Sequence, residues 1–319
     1  MIPLEDIRRA REVLAGAAVR SPLVRLDAPE SDAEIYVKLE NLQPIRSFKI
    51  RGAVNAVRQA PREEVAKGVL TASAGNMAQG VAWAARDAGV PCTVVVPEHA
   101  PQAKLEAIER LGAGIVKVTY DRWWQALVDS RIEGAQGLFI HPVENDRVMA
   151  GNGTIGLELL EDLPDPDVVL VPFGGGGLSV GVASAIKALR PSAKVYPVEP
   201  ESAAPLAASL EAGEPREVDY VPSFVDGAGA RTVLERMWPL VREVVDGSLT
   251  ASLEETAHAV KLLAERAAVV AEGAGALGVA AALAGRGGSG KVVCIVSGGN
   301  IDSALLARIL DGSFTARAD

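Results

Sequence analysis

The sequence is poor in the residues that build disulfide frameworks and metal sites. Its 319 residues include two cysteines and three histidines, and aromatic residues make up 4%. Cys92 and Cys294 are far apart in apolar runs, so we expect buried, reduced thiols rather than a paired metal or redox motif. His99, His141 and His258 share no ligand spacing, which argues against a histidine metal centre.

Positive charge and long apolar runs are also lacking. Against 41 acidic residues there are 32 Lys and Arg, giving a formal net charge of -9, so a nucleic-acid partner is not expected. The N-terminus mixes acidic and basic residues where an export signal needs an apolar stretch. No segment has the charge-free length of a membrane helix, and we therefore expect a cytoplasmic protein.

The hydrophobic pattern predicts an α/β protein. Short β-branched runs alternate with Ala-rich amphipathic segments, which is typical of a parallel sheet covered by helices. Strands are predicted at residues 34–39, 68–73, 92–96, 114–118, 168–172, 194–198 and 291–297. The clearest predicted helices are residues 77–88, 102–111 and 178–189.

Four segments carry the candidate chemistry. Residues 71–77, 173–178 and 296–300 end strands with small or polar side chains, and in open α/β sheets ligands bind at such strand ends. The second contains four consecutive glycines before a predicted helix, whose open N–H groups suit a phosphate. The fourth segment, residues 46–53, contains a lysine in partly apolar surroundings.

Lys49 and Ser297 are the reactive candidates in these segments. Lys49 lies between Phe48 and Ile50, with the cationic side chains of Arg46 and Arg51 nearby. Desolvation and neighbouring positive charge both lower a lysine pKa, which favours an amine nucleophile. Ser297 either contacts a ring nitrogen of a ligand or simply caps a helix, and its sequence context leaves both interpretations open.

Two further glycine motifs are interpreted as structural. Gly151–Gly156 and Gly273–Gly278 match the letters of the dinucleotide-binding fingerprint, but neither follows a convincing strand. We interpret both as turns and close helix packing. A nicotinamide-dependent dehydrogenase is therefore not expected.

In their order along the chain, the four segments resemble the fold-type II pyridoxal-phosphate enzymes, in the branch of threonine/serine dehydratases and serine racemases. The resemblance extends from residues 7–11 to residues 297–302. It implies two open, twisted, mostly parallel sheets with covering helices. It also implies a small domain at residues 60–146 inserted in a large cofactor-binding domain of residues 1–59 and 147–319.

The resemblance assigns roles to individual residues. It implies that Lys49 holds pyridoxal 5'-phosphate as a Schiff base and takes the α-proton, that Phe48 packs by the ring and that Asn76 meets the ring hydroxyl. The other implied cofactor contacts are Gly174, Gly175, Gly176, Gly177, Leu178, Glu272 and Ser297. The implied substrate contacts are Ser73, Ala74, Gly75, Asn76 and Met77, with Arg46 as a further candidate.

The implied reaction is α,β-elimination from a β-hydroxy L-amino acid such as threonine or serine, giving a 2-oxo acid and ammonia. Met77 and Arg46 depart from the usual pattern of the family and leave a bulkier, phenylserine-type substrate as an alternative. Serine racemisation is a second alternative. It is expected to be slow, because racemases of this branch place a second serine where this chain has Ala74.

Two more alternatives are weaker. A β-replacement enzyme of the cysteine-synthase type usually has the loop Thr-Ser-Gly-Asn-Thr, which residues 73–77 do not match. A non-catalytic binding protein would not need Lys49, Asn76, the glycines and Ser297 together.

The resemblance also bears on metals and assembly. Glu199 remains from the divalent-cation site of the family, but the downstream acidic position is Pro205, so no bound metal is expected. A homodimer is expected from the resemblance alone. The chain ends soon after the last motif, so an added regulatory domain and its feedback are not expected.

Overall fold

The computed structural model describes residues 1–316 as two sheets covered by helices. The larger sheet has the order β1-β2-β10-β7-β8-β9, and all its neighbouring strands are parallel except β1 and β2. Its strands are β1 (Leu23–Arg25), β2 (Ala33–Leu39), β7 (Val168–Pro172), β8 (Lys194–Pro200), β9 (Leu249–Ala251) and β10 (Gly290–Val296).

The smaller sheet is parallel throughout and has the order β5-β4-β3-β6. Its strands are β3 (Val69–Ala72), β4 (Cys92–Pro97), β5 (Gly114–Val118) and β6 (Leu138–Phe139). All four strands lie within the predicted small domain, residues 60–146, whose boundaries stay a prediction.

Helices precede, connect and follow the strands. They are α1 (Leu4–Val13), α2 (Lys49–Arg58), α3 (Arg62–Val65), α4 (Asn76–Ala88), α5 (Gln102–Glu109), α6 (Tyr120–Val128), α7 (Asp146–Asp162), α8 (Gly177–Leu189), α9 (Pro205–Ala212), α10 (Met237–Val244), α11 (Leu253–Ala267), α12 (Gly273–Leu283) and α13 (Ser303–Asp311). None of the helices described in residues 1–316 has the length and apolarity needed to cross a membrane.

The cores of both sheets are built mainly from aliphatic side chains. Every residue of β7 is buried, as expected for a central parallel strand covered on both faces. Cys92 and Cys294 are buried free thiols, as predicted. Because aromatic residues are scarce, the core is filled by bringing helices close together, and small residues at the contacts allow this.

The two fingerprint-like glycine motifs serve this close packing, but the expectation of turns there was wrong. Gly151–Gly156 lies inside α7, and Gly273–Gly278 begins α12. A Cβ atom at Gly151 would lie 2.5 Å from the carbonyl oxygen of Arg51, and one at Gly275 would lie 2.5 Å from that of Gly298. Glycine is needed at both positions because the backbone of α2 in one case, and of the loop after β10 in the other, passes too close to leave room for a side chain.

The predicted fold class is confirmed, and the seven predicted strands are present with ends that shift by two residues or fewer. Three strands were not predicted, namely β1, β6 and β9. Each has only two or three residues, too few to show an alternating pattern.

Candidate active site

The candidate site lies where four parallel strands end. The carboxyl ends of β3 and β6 in the small sheet and of β7 and β10 in the large sheet lead into the loops that carry the predicted site residues. Ligands of open α/β folds bind at this end of the strands.

Lys49 begins helix α2, and the segment before it is held to the end of β10. The Phe48 N–H donates to the carbonyl oxygen of Ser297 at 3.0 Å, and the Gly299 N–H donates to that of Arg46 at 2.9 Å. These bonds, with an antiparallel bridge between Ser47 and Gly298, place the segment before the predicted lysine beside the predicted serine. The Ser297 side chain is buried there.

The amine of Lys49 is desolvated. Its Nζ lies 5.1 Å from the centroid of the Phe48 ring and 3.4 Å from the carbonyl oxygen of Pro142. Burial lowers the pKa of this amine to about 8, although the charge of Glu272 acts in the opposite direction. A larger fraction of the amine is therefore neutral near pH 7 than in an exposed lysine.

The expectation that Arg51 helps to lower this pKa was wrong. Arg51 is buried on α2, and it donates to Glu40 at 2.8 and 2.9 Å and to Glu158 at 2.7 and 2.9 Å. Lys38, also buried, donates to Glu158 at 2.8 Å. Two cations thus face two carboxylates, so the positive charge of Arg51 is neutralised locally. The network ties α2 to β2 and α7.

Asn76 and Glu272 meet across the two sheets. Asn76, the first residue of α4, donates through Nδ2 to Glu272 Oε1 at 2.8 Å, and its Oδ1 accepts from Asn300 at 2.7 Å. Burial raises the pKa of the Glu272 carboxyl to about 7, and the charge of Asp226 adds to this effect. A hydrogen-bonded chain of side chains therefore connects the loop after β3 to the loop after β10.

The four glycines form a turn between β7 and α8. Gly176 has φ +94°, which glycine adopts without strain, and a Cβ atom at Gly175 would lie 2.4 Å from Val143 Cγ2. Within residues 1–316, the backbone N–H groups of residues 174–179 donate to no acceptor. The turn therefore presents unpaired donors at a helix N-terminus, which suits a phosphate group.

Ser179 adds an unpaired hydroxyl in the first turn of α8. Its Oγ is buried and has no hydrogen-bond partner among the described residues. The sequence Gly177–Gly181 also has the Gly-x-Ser-x-Gly form of a hydrolase elbow, but Ser179 lies within the helix and not at an exposed turn. The unpaired donors of this region fit a phosphorylated cofactor better than an activated serine.

The predicted substrate loop follows β3 and leads into α4. The Ser73 N–H donates to the carbonyl oxygen of Val95, and the Gly75 N–H donates to the Ser73 hydroxyl oxygen. In the described chain, the N–H groups of Ala74 and of residues 76–78 donate to no acceptor. A second helix N-terminus therefore faces the same strand-end region, and it suits a carboxylate.

Two predicted substrate residues stand apart from the others. The Met77 side chain is 2% exposed and packs in the aliphatic core of the small sheet, so its placement does not support a side-chain contact with substrate. Arg46 is exposed, with φ +55°. Its backbone joins the site, and its guanidinium makes no hydrogen bond or ion pair within residues 1–316.

The sequence interpretation did not include the segment 141–143 in the site. Pro142 contacts the Lys49 amine and Val143 packs on the glycine turn. Asn300 was also missed as a partner of Asn76. The His141-Pro142 pair was visible in the sequence, but the two-residue strand β6 that leads to it was not predicted.

Comparison with known proteins finds a matching family and similar chains. Residues 14–298 match the family described as pyridoxal-phosphate dependent enzyme. The chain is 44% identical to an L-threonine ammonia-lyase of Thermotoga maritima over 98% of this chain and 79% of the relative.

Two solved structures share the whole architecture. A serine racemase from maize has a TM-score of 0.87 and 33% identity, covering 97% of each chain. The processed form of a threonine deaminase from Solanum lycopersicum has a TM-score of 0.86 and 32% identity, covering 97% of this chain and 91% of the other.

Proposed function

Because the chain belongs to the family of pyridoxal-phosphate dependent enzymes, we propose that it is a dehydratase, or ammonia-lyase, acting on a β-hydroxy L-amino acid of the threonine or serine kind. The observation that carries this proposal is the desolvated amine of Lys49, held in one strand-end region with a glycine turn of unpaired N–H donors. The products are a 2-oxo acid and ammonia.

The residues that hold the cofactor come from both sheets. The N–H groups of residues 174–179 receive the phosphate, and Phe48 lies beside the ring. Ser297 supplies a hydroxyl for the ring nitrogen, and Asn76, fixed by Glu272, supplies an amide for the ring hydroxyl. When bound, pyridoxal phosphate withdraws electrons from the α-carbon of an attached amino acid and makes its α-proton acidic.

Lys49 acts as the base for that proton. A base works best when its pKa is near the working pH, and burial brings this amine to about 8. The Pro142 carbonyl oxygen accepts a hydrogen bond from Nζ and so orients the amine. After it takes the α-proton, the ammonium is stabilised by this oxygen and by the charge of Glu272.

The substrate carboxylate binds at the start of α4. The unpaired N–H groups of Ala74 and residues 76–78 are the donors, and the helix dipole favours a negative charge there. The side chain of Ala74 carries no proton donor. The loop therefore binds and orients the substrate without adding a second acid.

The test is product analysis across a set of β-hydroxy amino acids. The purified holoenzyme should release ammonia and a 2-oxo acid in equal amounts from L-threonine or L-serine, and Lys49→Ala should abolish this release. Preference for a phenylserine-type substrate would keep the proposed reaction and change the proposed substrate to a bulkier β-hydroxy amino acid. Sulfide-dependent formation of a β-substituted amino acid, with no 2-oxo acid, would replace the proposal by β-replacement.

The same proposal includes the setting of the enzyme. We infer a homodimer in the cytoplasm, with residues 60–146 acting as a small domain over the large one. The sheet confined to residues 69–139 and the two buried free thiols support this inference. Light scattering of the purified protein tests the dimer, and a monomeric mass at micromolar concentration contradicts it.

A further inference from the structure

His141 is a buried histidine that the proposed reaction does not use. It lies two residues beyond β6 and is 7% exposed. Its Nδ1 accepts two backbone hydrogen bonds, from the Val143 N–H at 3.1 Å and from the Glu144 N–H at 2.7 Å. These contacts hold a tight turn over residues 141–144.

The chemistry of this turn requires an unprotonated Nδ1. Asparagine and aspartate side chains often accept N–H groups two and three residues further along the chain, and here the imidazole takes that role. Burial lowers the pKa of His141 to about 4, and the nearby positive charges of Lys49 and Arg236 add to this effect. At neutral pH the ring is therefore uncharged, with its proton on Nε2.

The turn lies between the two parts of the cofactor site. Its Pro142 carbonyl oxygen is the 3.4 Å partner of Lys49 Nζ. Its Val143 side chain fills the space where a Cβ at Gly175 would lie, 2.4 Å from Cγ2. The Val143 carbonyl oxygen lies 3.4 Å from the corresponding position at Gly177.

We propose that His141 is a positioning residue whose Nδ1 fixes the 141–144 turn and thereby sets both the carbonyl that orients Lys49 and the wall of the glycine turn. The inference rests on the proposed function only for the identity of the cofactor.

The test compares side chains at position 141 that lack a hydrogen-bond acceptor or carry one at a different distance from the backbone. In His141→Asn the side-chain oxygen reaches the same two N–H groups. His141→Phe keeps an aromatic ring without an acceptor, and in His141→Gln the acceptor is one bond too far away. Apo-protein is titrated with pyridoxal phosphate, and the dissociation constant is read from the cofactor absorbance. We expect His141→Phe and His141→Gln to raise it about tenfold and His141→Asn to stay within about twofold of the wild type.

Controls separate positioning from folding. His258 is exposed on α11, and His258→Phe should leave the dissociation constant unchanged. If His141→Phe does not fold by circular dichroism, His141→Gln decides the outcome. The proposal would be overturned if His141→Phe and His141→Gln bound pyridoxal phosphate as tightly as the wild type. It would also be overturned if His141→Asn weakened cofactor binding as much as they do. An inactive wild type would refute the proposed function without affecting this titration.

Discussion

The Asn76 side chain donates from Nδ2 to Glu272 Oε1 at 2.8 Å, although 196 positions separate the two residues. This bond joins the small sheet to the large one at the site. It pairs an amide with a carboxyl whose pKa burial has already raised to about 7.

Asn76→Asp should make stability depend on pH. The variant places two carboxyls at hydrogen-bond distance, so one of them must keep its proton. Because the pKa of the pair is raised in the folded state, the folding stability that is present at low pH is lost as pH rises through 7. Relative to the wild type, we expect a loss of about 2 kcal/mol at pH 8.5 and little at pH 5.5. Denaturant unfolding at both pH values measures this loss of stability. An equal loss at both pH values would contradict the raised pKa of the Glu272 carboxyl.

Cofactor loading should follow the ionisation of Lys49. Only the neutral amine adds to an aldehyde, and burial lowers its pKa to about 8. The rate of pyridoxal phosphate uptake by the apo-protein should rise about tenfold from pH 7 to pH 9 and then level off. An exposed model amine measured in parallel should keep rising beyond pH 10. A protein rate that does the same would show that Lys49 is not desolvated.

The predicted site residues that the structure brings together are those whose surroundings are local. Lys49, the glycine turn and Ser297 each lie at the end of a strand or the start of a helix, where short patterns are informative. The partners of Arg51 lie 11 and 107 positions away. A neighbouring cation was visible in the sequence, but its neutralisation was not. The burial of Met77 likewise depends on the packing of α4 against α2, which no short pattern specifies.

Racemisation of L-serine should be much slower than its dehydration. Reprotonation from the face opposite Lys49 needs an acid, and the Ala74 methyl group supplies none. A positioned acid contributes about 10²-fold or more, so D-serine should form at least about 10²-fold more slowly than pyruvate. Ala74→Ser should raise the D-serine rate. Chiral chromatography measures both products, and comparable wild-type rates would contradict the prediction.

Activity should not require a divalent cation at Glu199. Its carboxylate oxygens accept from the N–H groups of Leu206 and Ala207 at 2.8 Å each, and Oε2 also accepts from Ser248 at 2.9 Å. These donors at the start of α9 occupy the carboxylate, and Pro205 adds no side-chain ligand. Chelation should change activity and melting temperature little. Activity lost on chelation and restored by magnesium would show a cation site.

The buried network around Arg51 gives the strongest expected effect on stability. Glu158 accepts from both Arg51 and Lys38, and all three side chains are buried. Glu158→Gln leaves Arg51 with the carboxylate of Glu40, and it leaves Lys38 with only the Asp162 carboxylate, 3.9 Å away. Breaking a buried ion pair typically costs about 3–5 kcal/mol, because the remaining charge stays desolvated and unpaired.

A surface pair in the same chain provides the matched control. Lys291 and Asp165 are 2.7 Å apart, and their side chains are 31% and 54% exposed. Asp165→Asn should therefore cost at most about 1 kcal/mol, because water screens this pair. Urea unfolding of the two variants gives the comparison. If Glu158→Gln lost no more stability than Asp165→Asn, the four charges would not act as a buried unit.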